Sequence, residues 1–227
     1  VPENVHLVFS EPPEWLAADD FDRWYEAHVR EILAVDGYDA ARRFELHAAV
    51  GTTSPTMYSR LALYGISGDP AETLARLQRA VEAGAVAHPE WFGEARFASF
   101  VGRALEGPID LATLDHTYLV FSRPPAQIGL EDYIDWYYAH MRENLTATGF
   151  DAAWRYRLEP DRVDPLAPCD AVHAAIYEVH GDMPTLRAAL KEAADAGRVG
   201  FPEWFGEIQF ASMDCYAISG AVTAVPA

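Results

Sequence analysis

The stretch FDRWYEAHVREILAVDGYDAARRFEL, from Phe21 to Leu46, returns as YIDWYYAHMRENLTATGFDAAWRYRL, from Tyr133 to Leu158, with 13 of 26 positions identical at an offset of 112 residues. Working outward, LVFSEPP at Leu7 to Pro13 is answered by LVFSRPP at Leu119 to Pro125. PEWFGEARFAS at Pro89 to Ser99 is answered by PEWFGEIQFAS at Pro202 to Ser212, now at an offset of 113. Solenoid units repeat every ~20–50 residues, so a unit of this length is a small domain. The chain reads as two tandem repeats, residues 1–103 and 116–227, with a linker over 104–115 that contains Gly107-Pro108. It is expected to form a pseudo-dimer within one chain and leaves room for a further homodimer. Any site it builds is free to be asymmetric.

Hydrophobic periodicity gives each repeat the order strand, helix, strand, strand, helix, strand. In the first, His6 to Ser10 is a β-type run stopped by Pro12-Pro13. Asp19-Asp20 offers an N-cap and an acidic first turn. Behind it Phe21, Trp24, Tyr25, His28 and Ile32 fall on one helical stripe that Gly37 closes. Asp39 to Val50 and Met57 to Ile66 read as strands around a Gly51 to Pro55 loop. Ala71 to Ala83 is a helix, PEWFGE a turn or short helix, and Ala95 to Val101 the last strand. The second repeat gives Thr117 to Ser122, Glu131 to Thr146, Asp151 to Leu158, Ala171 to Val179, Pro184 to Ala196 and Ile208 to Ala217. A βαββαβ unit is a ferredoxin-like, four-stranded antiparallel sheet with two helices on one face. The fold class is therefore α+β: two such repeats packing sheet against sheet as an intramolecular α+β barrel, with a ligand cavity expected between the sheets.

Composition bounds the function. Half the residues are hydrophobic and 12% are aromatic, enough for a real core. A net charge of −18 sets the surface against a nucleic-acid backbone. No apolar run approaches the ~18 residues of a membrane span. Cys169 and Cys215 form no repeated pair, which points to a reducing, cytoplasmic setting. No glycine-rich phosphate loop, nucleophile elbow or CxxC occurs, which disfavours nucleotide-dependent chemistry and serine-type hydrolysis. The expected partner is a small-molecule substrate, with no nucleic acid and no membrane.

The order of elements, the doubling and the helix W-Y-x-A-H-x-R-E resemble the dimeric α+β barrel superfamily, closest to its EthD-like branch. A histidine near the end of the first helix is the most recognisable residue of that branch, and it matches His28 and His140. The branch usually places a Pro shortly after it, where this chain has Val29-Arg30 and Met141-Arg142. The resemblance covers nearly the whole chain as a fold and rests on one short motif for function. The superfamily holds cofactor-free oxygenases, isomerases, dehydratases, decarboxylases and haem enzymes, so the fold alone selects no reaction.

Strand alternation sorts the remaining candidates. Leu7 and Phe9, with Leu119 and Phe121, form an all-apolar face expected under the helices. The mixed face, His6, Tyr58, Arg60 and Tyr64 with Tyr118, Ala171, His173 and Tyr177, is expected to line the barrel interior. His28 and His140, four residues after Trp24 and Trp136, are general acid/base candidates, or else buried histidines that hold helix to sheet. His28-x-x-Glu31 and His140-x-x-Glu143 have metal-ligand spacing but no third ligand, so no metal is assigned. The pairs that differ between repeats, His6/Tyr118, Arg60/His173 and Tyr58/Ala171, are free to serve a ligand. Catalytic roles are accordingly expected for His173, His28, His140 and Tyr177. Substrate contacts are expected from His6, Arg60, Tyr64, Tyr118, Trp24 and Trp136, in one dominant cavity near His173. Arg43 and Arg155 are expected in structural ion pairs, His47, His88, His116 and His180 in solvent, and Trp91-Phe92 and Trp204-Phe205 at the barrel end. The expected activity is a lyase or isomerase that needs no cofactor, acting on an apolar aromatic or polyketide-like substrate. A non-catalytic binder of a hydrophobic metabolite and a haem- or metal-dependent oxidoreductase are the alternatives.

Overall fold

The computed structural model describes residues 1–48, 58–162 and 172–225. The expected Gly51 to Pro55 loop, Ala171 and Cys169 lie outside the described residues. The first half runs β1 (Asn4–Glu11), α1 (Ala18–Leu33), β2 (Tyr38–Ala48), β3 (Arg60–Ile66), α2 (Pro70–Glu82) and β4 (Arg96–Ala104). The second runs β5 (His116–Arg123), α3 (Leu130–Asn144), β6 (Phe150–Arg162), β7 (His173–Val179), α4 (Met183–Asp195) and β8 (Gln209–Ala217). Each PEWFGE segment forms a short 3₁₀ turn before the last strand of its half.

Two of the helices, α2 and α4, start where a side chain answers their first free N–H groups. Asp69 and Asp182 cap α2 and α4, accepting from Ala71 N at 3.1 Å and Thr185 N at 2.8 Å, with Pro70 and Pro184 in the first turns. For α1 the cap is Ala17. Asp19 and Asp20 sit inside the first turn, where negative charge offsets the helix dipole. Gly37 turns α1 into β2 at a φ of 105°, against Thr73, and a β-carbon there would meet that side chain at 2.3 Å.

Within the halves the strand orders are β4-β1-β3-β2 and β8-β5-β7-β6, all antiparallel. The two sheets join edge to edge. Ser99 to Ala104 of β4 pairs with β6, and Phe44 to Ala48 of β2 pairs with β8. Eight strands thereby close into a barrel with no free edge. A short extra strand, β9 (Val222–Thr223), was not expected and pairs with Ala40 and Ala41 of β2.

Closure reverses the expected assignment of faces. An eight-stranded barrel is just wide enough to be filled by side chains, and here it is filled. Leu7, Phe9, Phe44, Phe100, Leu119, Phe121, Tyr156 and Ile176 form one buried cluster contributed by both halves. The all-apolar face therefore points inward, where Tyr58 joins it as expected, and Val8, Tyr64, Tyr118 and Tyr177 of the mixed face lie under the helices. The linker is not a solvated tether, because Ile109, Leu111 and Leu114 are buried in the barrel cluster. The PEWFGE aromatics pack against the helices instead of closing the barrel end. Trp91 lies 4.8 Å from Trp24, and Trp204 lies 4.9 Å from Trp136.

Candidate functional site

Each half leaves a cavity between its helices and the outer face of its sheet. The one in the second half measures about 450 Å³ and that in the first about 170 Å³. Equivalent residues build both: Tyr25/Tyr137, His28/His140, Tyr64/Tyr177, Phe92/Phe205, Phe97/Phe210 and Ser99/Ser212. The expected cavity between the sheets is therefore replaced by one under each helix pair.

The helix histidines are held by the same bracket in both halves. His28 stacks on Trp24 at 4.7 Å and 20°, and His140 stacks on Trp136 at 4.9 Å and 22°. One turn further on, Glu31 accepts the Ala87 N–H at 3.0 Å and Glu143 the Gly200 N–H at 2.8 Å. Glu31 also lies 3.5 Å from His28 Nδ1. These carboxylates tie the helix to the segment before the PEWFGE turn. Trp24 and Trp136 brace the histidines and do not line the two cavities. Burial pushes His28 down to about 4, with the nearby Glu31 charge opposing. Burial also lowers His140, opposed by Glu143. Both imidazoles are neutral at pH 7.

Beside His140, Tyr177 Oη accepts from Asn144 Nδ2 at 3.2 Å and hydrogen-bonds Tyr137. Burial raises Tyr177 to about 12 and holds Tyr137 well above its usual range, so both hydroxyls keep their protons. Asn144 can only donate through that nitrogen, which leaves the Tyr177 proton to be given elsewhere. In the first half Tyr25, raised to about 12 by burial, pairs with Tyr64. Each of these tyrosine pairs rests on an arginine. Arg43 lies 4.6 Å over the Tyr25 ring, and Arg155 lies 4.1 Å over Tyr137.

Beyond this frame the linings diverge. Asn144 stands where the first half has Ile32, and Arg187 where it has Leu74. Tyr118 replaces His6 and Phe201 replaces His88. Ala194 replaces Val81, a side chain that fills part of the smaller cavity. Asn144 and Arg187 were missed in the sequence, although the offset that aligns the repeats exposes both as polar-for-apolar exchanges.

Not every expected site residue meets the others. His6, His28 and Tyr64 line the smaller cavity; Tyr118, His140 and Tyr177 line the larger. His173 lines neither. It is fully buried with its ring 5.3 Å from that of Tyr133, and burial, with Arg155 and Arg157 nearby, lowers it to about 4. His173 and Tyr177 share a face of β7 but stand four residues, ~13 Å, apart along the strand. Arg60 lines neither cavity and is bound to Asp22 at 3.0 Å, with Glu45 at 3.6 Å. Of the shared arginines, Arg43 pairs with Asp22 as expected, at 2.5 Å. Arg155 instead has no carboxylate partner among the described residues, and its Nε and Nη2 lack hydrogen bonds. His116 is buried against Asp214 and not solvated.

Among the described residues, no three or more His, Cys, Asp or Glu side chains converge as a metal cluster would require, and no helix is long and apolar enough to cross a membrane.

No family model matches the sequence, and no curated protein is significantly similar to it. Solved structures are similar in fold. An anthrone oxidase-like protein superimposes with a TM-score of 0.57 at 14% identity, over 99% of this chain and 94% of its own. A chlorite dismutase-like protein gives 0.47 at 12% identity, over 95% and 94% of the two chains. A monooxygenase-like protein of Fusobacterium nucleatum gives 0.44 at 10% identity, over 100% and 99%. With a closed antiparallel barrel and four outer helices among its described residues, the chain has the dimeric α+β barrel fold.

Proposed function

We propose that the chain is a small-molecule enzyme of the lyase or isomerase type, that the larger cavity is its working site, and that His140 moves the proton. The observation that carries this is the meeting of a neutral His140 with the Asn144–Tyr177 hydrogen bond in one apolar-walled space of about 450 Å³. Cavities of this size, apolar with a few convergent polar groups, suit small ligands.

In this reading His140 takes a proton from a saturated carbon beside a carbonyl. The C–H electron pair moves into the conjugated system and the oxygen becomes anionic. Tyr177, its oxygen already engaged by Asn144, gives its own hydrogen bond to that oxyanion. Protonated His140 then returns the proton to a different carbon, giving the isomer. Alternatively it protonates a departing hydroxyl on the adjacent carbon, which leaves as water with formation of a double bond. His140 starts neutral, as a base must. The anthrone oxidase-like neighbour supports the aromatic, carbonyl-bearing substrate class by its name alone.

The test is exchange of substrate C–H for deuterium, followed by NMR over a panel of two- and three-ring aromatic ketones with a C–H beside the carbonyl. His140→Ala should lose roughly 10²-fold or more of the exchange rate, while His28→Ala should stay within a few-fold of the parent. Equal losses from the two variants, or none from His140→Ala, would overturn the assignment.

A further inference from the structure

Arg187 differs from the arginines of this structure that acids hold. Arg42 is bound to Asp115, Arg43 and Arg60 share Asp22, Arg76 meets Glu72 and Asp36, and Arg103 meets Glu159 and Asp69. Such pairing is expected in a chain with 35 acidic and 17 basic residues. Arg187 makes no ion pair or hydrogen bond with any described residue, and it lines the larger cavity. No Asp or Glu lines that cavity with it. Its neighbours one turn away along α4 are Met183, Pro184, Leu190 and Lys191, so its own helix offers no acid either. Arg187 is half-buried, at the boundary between cavity and solvent, and the first half has Leu74 in its place.

From this geometry we infer that the larger cavity takes a monoanionic substrate, an aromatic or polyketide-type skeleton carrying one carboxylate that Arg187 holds. The inference rests on the reading of this cavity as the working site. A guanidinium presents a planar fork of donors that matches a carboxylate two bonds at a time. Half-buried and unscreened by acids, it gains more from that pair than a surface arginine would. The apolar wall of Phe201, Phe205 and Phe210 takes the skeleton. At ~30 Å³ per water-sized atom, the cavity has room for on the order of 15 heavy atoms, a two-ring or compact three-ring acid. Arg187 thereby fixes which end of the substrate enters, and it is a specificity-determining residue rather than a proton carrier.

The probes are 2-naphthoic acid, 2-naphthamide and 2-naphthol, which share one skeleton and differ in charge, titrated calorimetrically against the whole chain at pH 7. The parent should bind naphthoate at least about tenfold more tightly than naphthamide or naphthol, with the preference shrinking as salt is added. Arg187→Leu, which installs the residue of the other half, should erase that preference and leave naphthamide affinity unchanged. Arg187→Lys should keep part of it. A preference that survives Arg187→Leu, a parent that favours naphthamide or naphthol, or a parent that binds none of the three overturns the inference. These are binding readouts and need no turnover. If His140→Ala keeps its deuterium exchange while the naphthoate preference is intact, the catalytic reading has failed and the carboxylate subsite stands.

Discussion

Ile32 and Val81 line the cavity of His28, and Asn144 and Arg187 line that of His140; by the repeat, Asn144 answers Ile32, Arg187 answers Leu74 and Ala194 answers Val81. The tryptophan that stacks on the histidine, the glutamate that ties down the next segment and the tyrosine pair over an arginine are common to both halves. The common features hold helix to sheet, so their presence in both halves says little about chemistry. The three exchanges alter only the space above that frame, and all three make it larger or more polar. Within one chain the first half thus acts as an internal control for the second.

The comparison can be broken most sharply at the arginines. In the first half Asp22 bridges Arg43 and Arg60. Asp22→Ala would strand two largely buried guanidinium groups. The expected loss is about 2–3 kcal/mol, below the ~3–5 kcal/mol typical of a fully buried pair because Asp22 is partly exposed. Urea denaturation would check it, and a loss within about 0.5 kcal/mol would show that the bridge contributes nothing.

In the second half the position of Arg60 is taken by His173, which titrates where an arginine does not. Its pKa is about 4 when folded, against an ordinary 6.5. A histidine lowered in this way contributes stability that is complete above pH ~6.5 and lost progressively as pH falls toward 4, because only the unfolded chain takes up the proton. The contribution of His173 to that loss between pH 7 and 4.5 is about 2 kcal/mol. His28, also lowered to about 4, adds to the same window. His173→Leu should therefore flatten the acid limb of a stability profile by about 2 kcal/mol and leave the part that belongs to His28. An unchanged profile would count against a neutral, buried His173.

A smaller effect is expected from rebuilding the first cavity in the second. Asn144→Ile with Ala194→Val should weaken 2-naphthoate binding by roughly tenfold, through lost volume and the lost donor to Tyr177. Calorimetry on the double variant would show it, and full retained affinity would mean that the ligand sits elsewhere.

What the sequence made legible follows from what local patterning encodes. The repeat and the two periodicities specify strand and helix order, because side-chain spacing is a local property. Alternation along His6 to Ser10 separates two faces but does not say which one turns inward. That depends on the β4–β6 and β2–β8 pairings, which are set between the halves. Leu7 and Phe9 suit either the space under a helix or a closed barrel, and only closure decides. The same gap separated His173 from the cavity: sharing a face with Tyr177 was readable, whereas standing at the far end of β7 from the helix histidine was not. Asn144 and Arg187 were readable in principle. They lie on α3 and α4, where a polar residue on a helix face reads as solvated until the helix is packed on its sheet.

The last test adds to the second half what the first possesses. Asp22 corresponds to Ile134, whose carbonyl accepts from Arg155 Nη1 at 3.0 Å, just as the Asp22 carbonyl accepts from Arg43 Nη1 at 3.0 Å. The backbone is therefore already placed as it is around Asp22. An aspartate side chain at 134 would reach toward the Nη2 of Arg155, which has no hydrogen-bond partner. Ile134 is half-buried, so the new carboxylate keeps some contact with water and its desolvation cost stays modest. Ile134→Asp should stabilise the chain by about 1 kcal/mol at neutral pH. The gain should fade as pH drops below the aspartate range, since a carboxylate lowered by its arginine loses that advantage once protonated. The new charge should also ease protonation of His173, shifting its acid transition upward. Urea midpoints at pH 7 and pH 4 would measure both effects. No gain at pH 7 would show that the rings of Tyr133, Tyr137 and Tyr138 around Arg155 already offset its missing carboxylate, and the two halves would then differ in how they hold an arginine but not in how well.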